Sequence, residues 1–322
     1  MTDRLATAWS SSLRLGLPIV NAPMGGVAGG RLAAAVSAAG GLGMIGMGSS
    51  GSTAALRAQL DAHRAAPGFD AALPFGIGVV DWKIREHPDL LDLAVDTRPT
   101  LLSVSFGDRF DWVDRARDAG IRTATQVYAP EQARVAGDAG VDVLVARGAD
   151  GGGHGDPTGA LLPLLDAVLE VVDLPVLAAG GVASPRSLAA VLAAGAAGAW
   201  IGTALSATVE SLAPAEAKDT LVAARADETV LTRAYDVIEG WPWPARFLNR
   251  VVRNGFTDRW TDGVDALEAD DALRADAAAA APPAVDAGVG VGRIDSVEPV
   301  AAILARLGVG AMQLLRDASP DR

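Results

Sequence analysis

The residues best suited to chemistry in this 322-residue chain fall in one run, Arg147-Gly148-Ala149-Asp150-Gly151-Gly152-Gly153-His154-Gly155. Consecutive glycines let backbone approach a flat ligand closely and leave N–H groups turned toward it. A histidine closing such a loop can take up or release a proton near neutral pH. Only three histidines occur. His63 lies beside Arg64 on what reads as a charged helix face, and His87 precedes Pro88 in a polar loop. Both are expected to be solvated structural residues, which leaves His154 as the candidate catalytic residue.

Two further glycine-bearing segments follow, Ala178-Ala179-Gly180-Gly181-Val182-Ala183-Ser184 and Trp200-Ile201-Gly202-Thr203. A Gly-Gly pair alone is usually a turn. Placed at the ends of two successive strands, the segments match a common way of holding phosphate, through backbone N–H groups and a helix start. Gly180, Gly181 and Gly202 would admit the phosphate, and Thr203 offers a hydroxyl and an N–H. The run Gly25-Gly26-Val27-Ala28-Gly29-Gly30 is also glycine-rich but reads as a strand-to-helix loop, and no Walker or dinucleotide fingerprint is present.

The elements that must position these segments are legible as a repeat. Short apolar runs at 18–23, 41–46, 75–80, 101–106, 122–127, 141–146, 175–180 and 198–203 alternate with stretches of helical spacing, such as 31–39, 52–63, 130–139 and 184–194. Near-continuously apolar strands alternating with helices imply parallel strands buried on both faces. Eight such units close into an α/β barrel of the (β/α)₈ TIM type with its active site at the strands' C-terminal ends; an open doubly wound sheet is the competing architecture. Ala39-Gly40-Gly41, Ala119-Gly120, Ala139-Gly140 and Ala194-Gly195 each place glycine where a helix should stop. The expected organisation is a barrel over 1–211, a helical substrate-side insertion over 212–285, and a C-terminal segment over 286–322 whose helix at 297–307 packs back on the barrel. Of Trp241, Trp243 and Trp260, two are expected to be ordinary packing residues.

Composition narrows the function classes. Half the residues are hydrophobic, 20% are charged, and the net charge is −12. An acidic surface repels phosphate backbones, so nucleic acid and anionic membrane are poor partners. The absence of cysteine excludes disulfides, thiolate nucleophiles and Cys-ligated metals. The uncharged stretch between Arg186 and Glu210 is long enough to span a bilayer, but it is rich in Ala, Gly and Ser and reads as helix, turn and strand. No signal peptide is evident, and a cytoplasmic location is expected.

Taken together, Pro18-Ile19-Val20-Asn21-Ala22-Pro23-Met24, Ala38-Ala39-Gly40-Gly41-Leu42-Gly43, Gly151-Gly152-Gly153-His154, and Ala179-Gly180-Gly181 with Gly202-Thr203 resemble the motifs of the nitronate monooxygenase (2-nitropropane dioxygenase) family. The likeness covers most of 13–211 and, weakly, the tail. FMN-dependent enoyl-ACP reductases share nearly all of it. The resemblance implies bound FMN, with Ala22 and Met24 passing under the flavin ring, Gly152 approaching it, and Gly180, Gly181, Ile201, Gly202 and Thr203 around the phosphate. It makes His154 the base or the substrate-binding acid.

Departures from the family pattern fall at the flavin. Gly78 stands where the family usually has Asn, and Arg147 where it usually has Gln; both positions are expected to border the cofactor. Asp150 replaces the usual Glu of the loop, and Asp156 a glycine. Arg147 has two readings, a fixed cation at the flavin's pyrimidine edge or an outward side chain paired with Asp150 or Asp156. The expected activity is oxidation of an alkyl nitronate or nitroalkane with O₂ to a carbonyl compound and nitrite. The alternatives are an NAD(P)H-dependent reductase of an enoyl thioester or quinone, and a non-catalytic flavin- or phosphometabolite-binding barrel. The expected partners are a small-molecule substrate and O₂, with a homodimer left open and no metal.

Overall fold

The computed structural model of the chain describes residues 5–318. Its strands in chain order are β1 (Ile19–Asn21), β2 (Gly43–Met47), β3 (Phe75–Val80), β4 (Leu101–Ser105), β5 (Arg122–Val127), β6 (Val143–Arg147), β7 (Gly153–Gly155), β8 (Val176–Ala179), β9 (Gly198–Ile201), β10 (Thr229–Thr232) and β11 (Leu248–Val252). Eight of them form one parallel sheet in the order β1-β9-β8-β6-β5-β4-β3-β2. The sheet closes: Val20 bridges Leu42, and the Leu42 N–H donates to the Ile19 carbonyl at 2.9 Å. Asn21, fully buried, stitches the same seam by accepting the Met44 N–H at 2.7 Å and donating to the Met44 carbonyl at 2.9 Å. This is the (β/α)₈ barrel expected from the repeat of apolar runs.

Alternate residues of each strand face two different cores. Val20, Met44, Leu101, Val143, Val145 and Leu177 pack inside the barrel with Trp9 and Trp200. Ile19, Ile45, Ile77, Leu102 and Leu144 face the surrounding helices. Burial on both faces explains why the strands read as unbroken apolar runs.

The helices begin and end where local chemistry dictates. Ser52 accepts the Ala55 N–H ahead of helix Thr53–Arg64, and Ser184 forms a capping box with Ser187 ahead of helix Pro185–Ala193. Gly40, Gly120, Gly140 and Gly195 follow helix ends at φ of 90°, 73°, 85° and 102°, a region that L side chains disfavour.

Three expectations are corrected. The C-terminal helix runs over Val300–Asp317 rather than 297–307, because Pro299 fits the extended position before a helix. It buries Val300, Ile303, Leu304, Leu307 and Ala311 against helices Pro185–Ala193 and Gly30–Ala38. The insertion over 212–285 carries strands β10 and β11 besides its helices, and these complete an antiparallel β10-β11-β7 sheet. Each is short, and its third strand comes from the glycine loop after β6, so neither stands out as a strand in the sequence. His63 is buried, not solvated: its ring lies 4.7 Å from that of Phe75 and 5.2 Å from that of Phe69.

Candidate active site

A cavity of about 600 Å³ opens at the C-terminal ends of the barrel strands. Ala22, Met24, Gly78, Arg147, Gly152, His154, Gly180, Gly181, Gly202 and Thr203 all line it. Ile201 does not; it is 1% exposed and packs between the barrel and its helices, as the in–out alternation of β9 requires. Gly78 is enforced by packing, since a Cβ there would lie 2.2 Å from Pro23 Cγ. No cluster of ligating side chains suited to a metal occurs among the described residues.

One end of the cavity is a backbone cradle. Gly180 and Gly181 both hold left-handed conformations, with φ of 115° and 69°. The N–H groups of Gly181 and Val182 find no backbone or side-chain acceptor among the described residues and border the cavity. Thr203 Oγ1 accepts the Gly288 N–H at 3.0 Å, which leaves its own hydrogen available. Unpaired N–H donors beside a hydroxyl suit an anionic group such as a phosphate. The residues present therefore fit the phosphate end of a flavin nucleotide, and the glycines leave room for it.

Past the cradle the wall is made of polar barrel residues. Ser103 and Ser105 on β4 and Gln126 on β5 line the cavity. Gln126 is held by a hydrogen bond from the Tyr128 hydroxyl to its Oε1 at 2.9 Å. Burial pushes the pKa of that phenol well above its ordinary value, so it remains a donor. Polar residues at alternate positions of otherwise apolar strands were a readable signal in Leu101-Leu102-Ser103-Val104-Ser105 that the sequence reading passed over.

Arg147 takes neither of its two expected placements outright. It is buried and lines the cavity, but its guanidinium donates to the carbonyls of Gly148, Gly152 and Gly153 at 3.1, 2.8 and 3.1 Å. The outward pair with Asp150 or Asp156 does not form. Asp150 accepts the Leu161 N–H instead, and Asp156 the Thr158 N–H. Burial lowers the Arg147 pKa from its usual value; Tyr128 opposes that shift and nearby Arg250 adds to it. The glycine loop wraps the guanidinium so tightly that a Cβ on Gly155 would lie 2.2 Å from its Nη1.

His154 lines the same cavity from β7, with its backbone paired to Asn249 of β11. Its Nε2 lies 2.9 Å from Asp236 Oδ1, and its ring stacks on Trp243 at 3.7 Å between centroids and 7° between planes. Asp236 belongs to the short helix Ala234–Glu239 and is buried. Asp286 also lines the cavity, and its side chain is exposed. The protein packed around its carboxyl raises its pKa by desolvation; His154, the Asn249 amide and Arg147 act against the rise, while Asp236 adds to it. Asp236, Asn249 and Asp286 lie in parts of the sequence without a recognisable pattern, and sequence reasoning missed all three.

The tryptophans divide differently from expectation. Trp243 and Trp241 line the cavity, with Trp243 edge-on to Phe106 and Trp82; Trp260 packs in the insertion's own core. Phe106 holds φ of 71° at the end of β4, a strained conformation for a bulky residue that turns the chain at the cavity.

A closed (β/α)₈ barrel with unpaired N–H donors and a carboxylate-backed histidine facing one cavity is the architecture of a barrel enzyme with room for an anionic ligand. The family model for nitronate monooxygenase matches residues 85–308, and the chain belongs to that family, whose members are flavin-dependent oxidoreductases. It is 31% identical over 250 residues to (3aS,4S,5R,7aS)-5-hydroxy-7a-methyl-1-oxo-octahydro-1H-indene-4-carboxyl-CoA dehydrogenase of Rhodococcus jostii, covering 78% of this chain and 67% of that one. It is 33% identical over 277 residues to nitronate monooxygenase of Pseudomonas aeruginosa, covering 72% and 77%. Among solved structures, FabK from Thermotoga maritima superposes with a TM-score of 0.82 at 26% identity, covering 98% of each chain. No helix among the described residues is long and apolar enough to cross a membrane.

Proposed function

We propose that the chain is an FMN enzyme that oxidises nitroalkanes, or the alkyl nitronates derived from them, with O₂ to a carbonyl compound and nitrite. The observation that carries this reading is one cavity lined both by the free N–H donors of Gly181 and Val182 and by His154. FMN would supply the electron-accepting chemistry. Gly181, Val182, Gly202 and Thr203 would hold its phosphate, with Ala22, Met24 and Gly152 against its ring and Gln126 and Ser103 as polar neighbours. His154 would accept the proton from the carbon beside the nitro group. Trp243, Trp241 and Phe106 would shield that proton transfer from water.

A second reading has a specific support, the named carboxyl-CoA dehydrogenase activity of the Rhodococcus relative. A carbon beside a thioester carbonyl is also a carbon acid, so the same histidine would serve a coenzyme A thioester. Anaerobic mixing of the purified yellow protein separates the readings. Loss of the flavin's visible absorbance with nitroethane or ethyl nitronate, and release of nitrite on admitting air, is the expected result. Bleaching only by NADH or NADPH, or only by an acyl-CoA, would overturn it in favour of thioester chemistry.

A further inference from the structure

Asp236 is the group in this site whose presence most needs a reason. It is 7% exposed, and its Oδ2 has no hydrogen-bond partner. Its only hydrogen-bond partner through the side chain is His154 Nε2. A buried carboxylate with an empty oxygen opposes folding unless it is paired, and here the pair is with the candidate base.

The imidazole is held in three ways. Backbone pairing of His154 with Asn249 fixes where the side chain leaves β7. Trp243 lies flat against the ring and fixes its plane. Asp236 then fixes which nitrogen points into the protein. A carboxylate can only accept here, so a neutral His154 must carry its proton on Nε2. Nδ1 keeps its lone pair and has no protein partner among the described residues. The charged groups facing the ring are Asp236, Asp286 and, across the loop, Arg147.

We infer that Asp236 is a positioning residue that holds His154 in the Nε2–H tautomer, so that Nδ1 is the basic atom that takes the proton from a neutral carbon acid. The proposal rests on reading His154 as the proton acceptor. In the step itself, the C–H bond beside the nitro group breaks and its proton passes to Nδ1. The electron pair stays on the substrate, delocalised onto the nitro oxygens, as the nitronate. The charge left on the imidazolium is met by Asp236.

Nitrogen-15 NMR of the holoprotein reads the tautomer directly, since only three histidines contribute. The expected wild-type result is a neutral His154 protonated on Nε2, and Asp236→Asn should shift it to a mixed or Nδ1–H population. With nitroethane, Asp236→Asn should lower kcat by about 10²-fold or more, within the range of a general base, with KM changing little. Ethyl nitronate, having no proton to lose, should lose only a few-fold, and Asp236→Glu should recover part of the loss. Flavin content measured alongside excludes a collapsed site. A wild-type His154 protonated on Nδ1, or on both nitrogens at the pH of turnover, would overturn the proposal without any variant. So would equal losses on both substrates. An Asp236-dependent tautomer in a protein inactive on both substrates would uphold the positioning role and refute the nitroalkane reading.

Discussion

A methyl group at Gly152 tests the packing on which the whole site depends. Its Cβ would lie 2.4 Å from Gly288 N, 2.6 Å from Ala287 C and 2.9 Å from Ala287 Cα, all backbone atoms that no side-chain rotation can clear. The 287–288 segment would have to withdraw by about 1 Å to reach ordinary contact. That movement lengthens two 3.0 Å bonds, Gly288 N–H to Thr203 Oγ1 and Val289 N–H to the Asp150 carbonyl, beyond hydrogen-bonding range. Overpacking of this kind costs about 1–3 kcal/mol and each of the two lost bonds about 0.5–1.5, so Gly152→Ala should destabilise the protein by about 2–6 kcal/mol. For a chain of this size that is a fall of roughly 3–9 °C in Tm. Flavin content should fall too, because Thr203 loses the contact that orients it. The control is Gly159→Ala in the following loop, where a Cβ meets nothing within 4 Å. Thermal melts by circular dichroism, with the visible-to-ultraviolet absorbance ratio as the flavin readout, decide it. A Gly152→Ala protein that melts within about 1 °C of the Gly159→Ala control and keeps full flavin would refute the packing argument.

Three further outcomes follow from the same coordinates. Gly181→Asp puts a carboxylate beside the unpaired N–H groups; like charges about 4 Å apart at an effective dielectric of about 20 repel by about 4 kcal/mol, so the variant should fold yet purify colourless, and full flavin retention would unseat the cradle assignment. Burial, then Arg64, holds the His63 pKa below 6.5. Between that lowered value and 6.5 the unfolded chain binds a proton the folded chain does not, so stability should fall as pH drops through this window and be unaffected above it. His63→Phe should flatten that dependence in urea melts at about pH 7 and about pH 5, and an unchanged slope would mean that other groups set it. Phe247→Ala removes a 2%-exposed ring that joins Phe106 and Tyr128 of the barrel to the insertion, and should cost about 3–5 kcal/mol by the same melts.

The barrel was legible because its signal is periodic and local. A strand buried on both faces is apolar along most of its length, and a helix that returns to the next strand needs a stop, so the β3 run 75–80 and the stop at Gly140 could be read without tertiary information. The cradle was legible for the same reason, since Gly180 and Gly181 sit at a fixed place in the repeat. His63 was not. Its helix looks charged around it, and only the fold brings Phe69 and Phe75 against the ring. Arg147 failed in another way: its acceptors are backbone carbonyls, which every residue carries and no sequence advertises.

The substrate side resisted reading because its geometry is assembled from segments far apart in the chain. β7 is three residues, too short to pair alone, and it becomes a strand only because β11 lies beside it, with Arg250 opposite Gly153, Asn249 opposite His154 and Leu248 opposite Gly155. The same pairing brings helix Ala234–Glu239 to the histidine, 82 residues along the chain from Asp236. Arg147 holds the loop from below through Gly152 and Gly153, while the insertion grips it from above through Asn249 and Trp243. The catalytic loop is therefore a strand of the insertion as much as a loop of the barrel. A change in the insertion that shifts β11 would move His154, whose backbone is paired to it, relative to Gly180 and Gly181 at the end of β8. Under the proposed function, a change in 212–285 that shifts β11 would bear first on proton transfer at His154, while the bond from Gly288 N–H to Thr203 keeps the neighbouring 287–288 segment tied to the cradle.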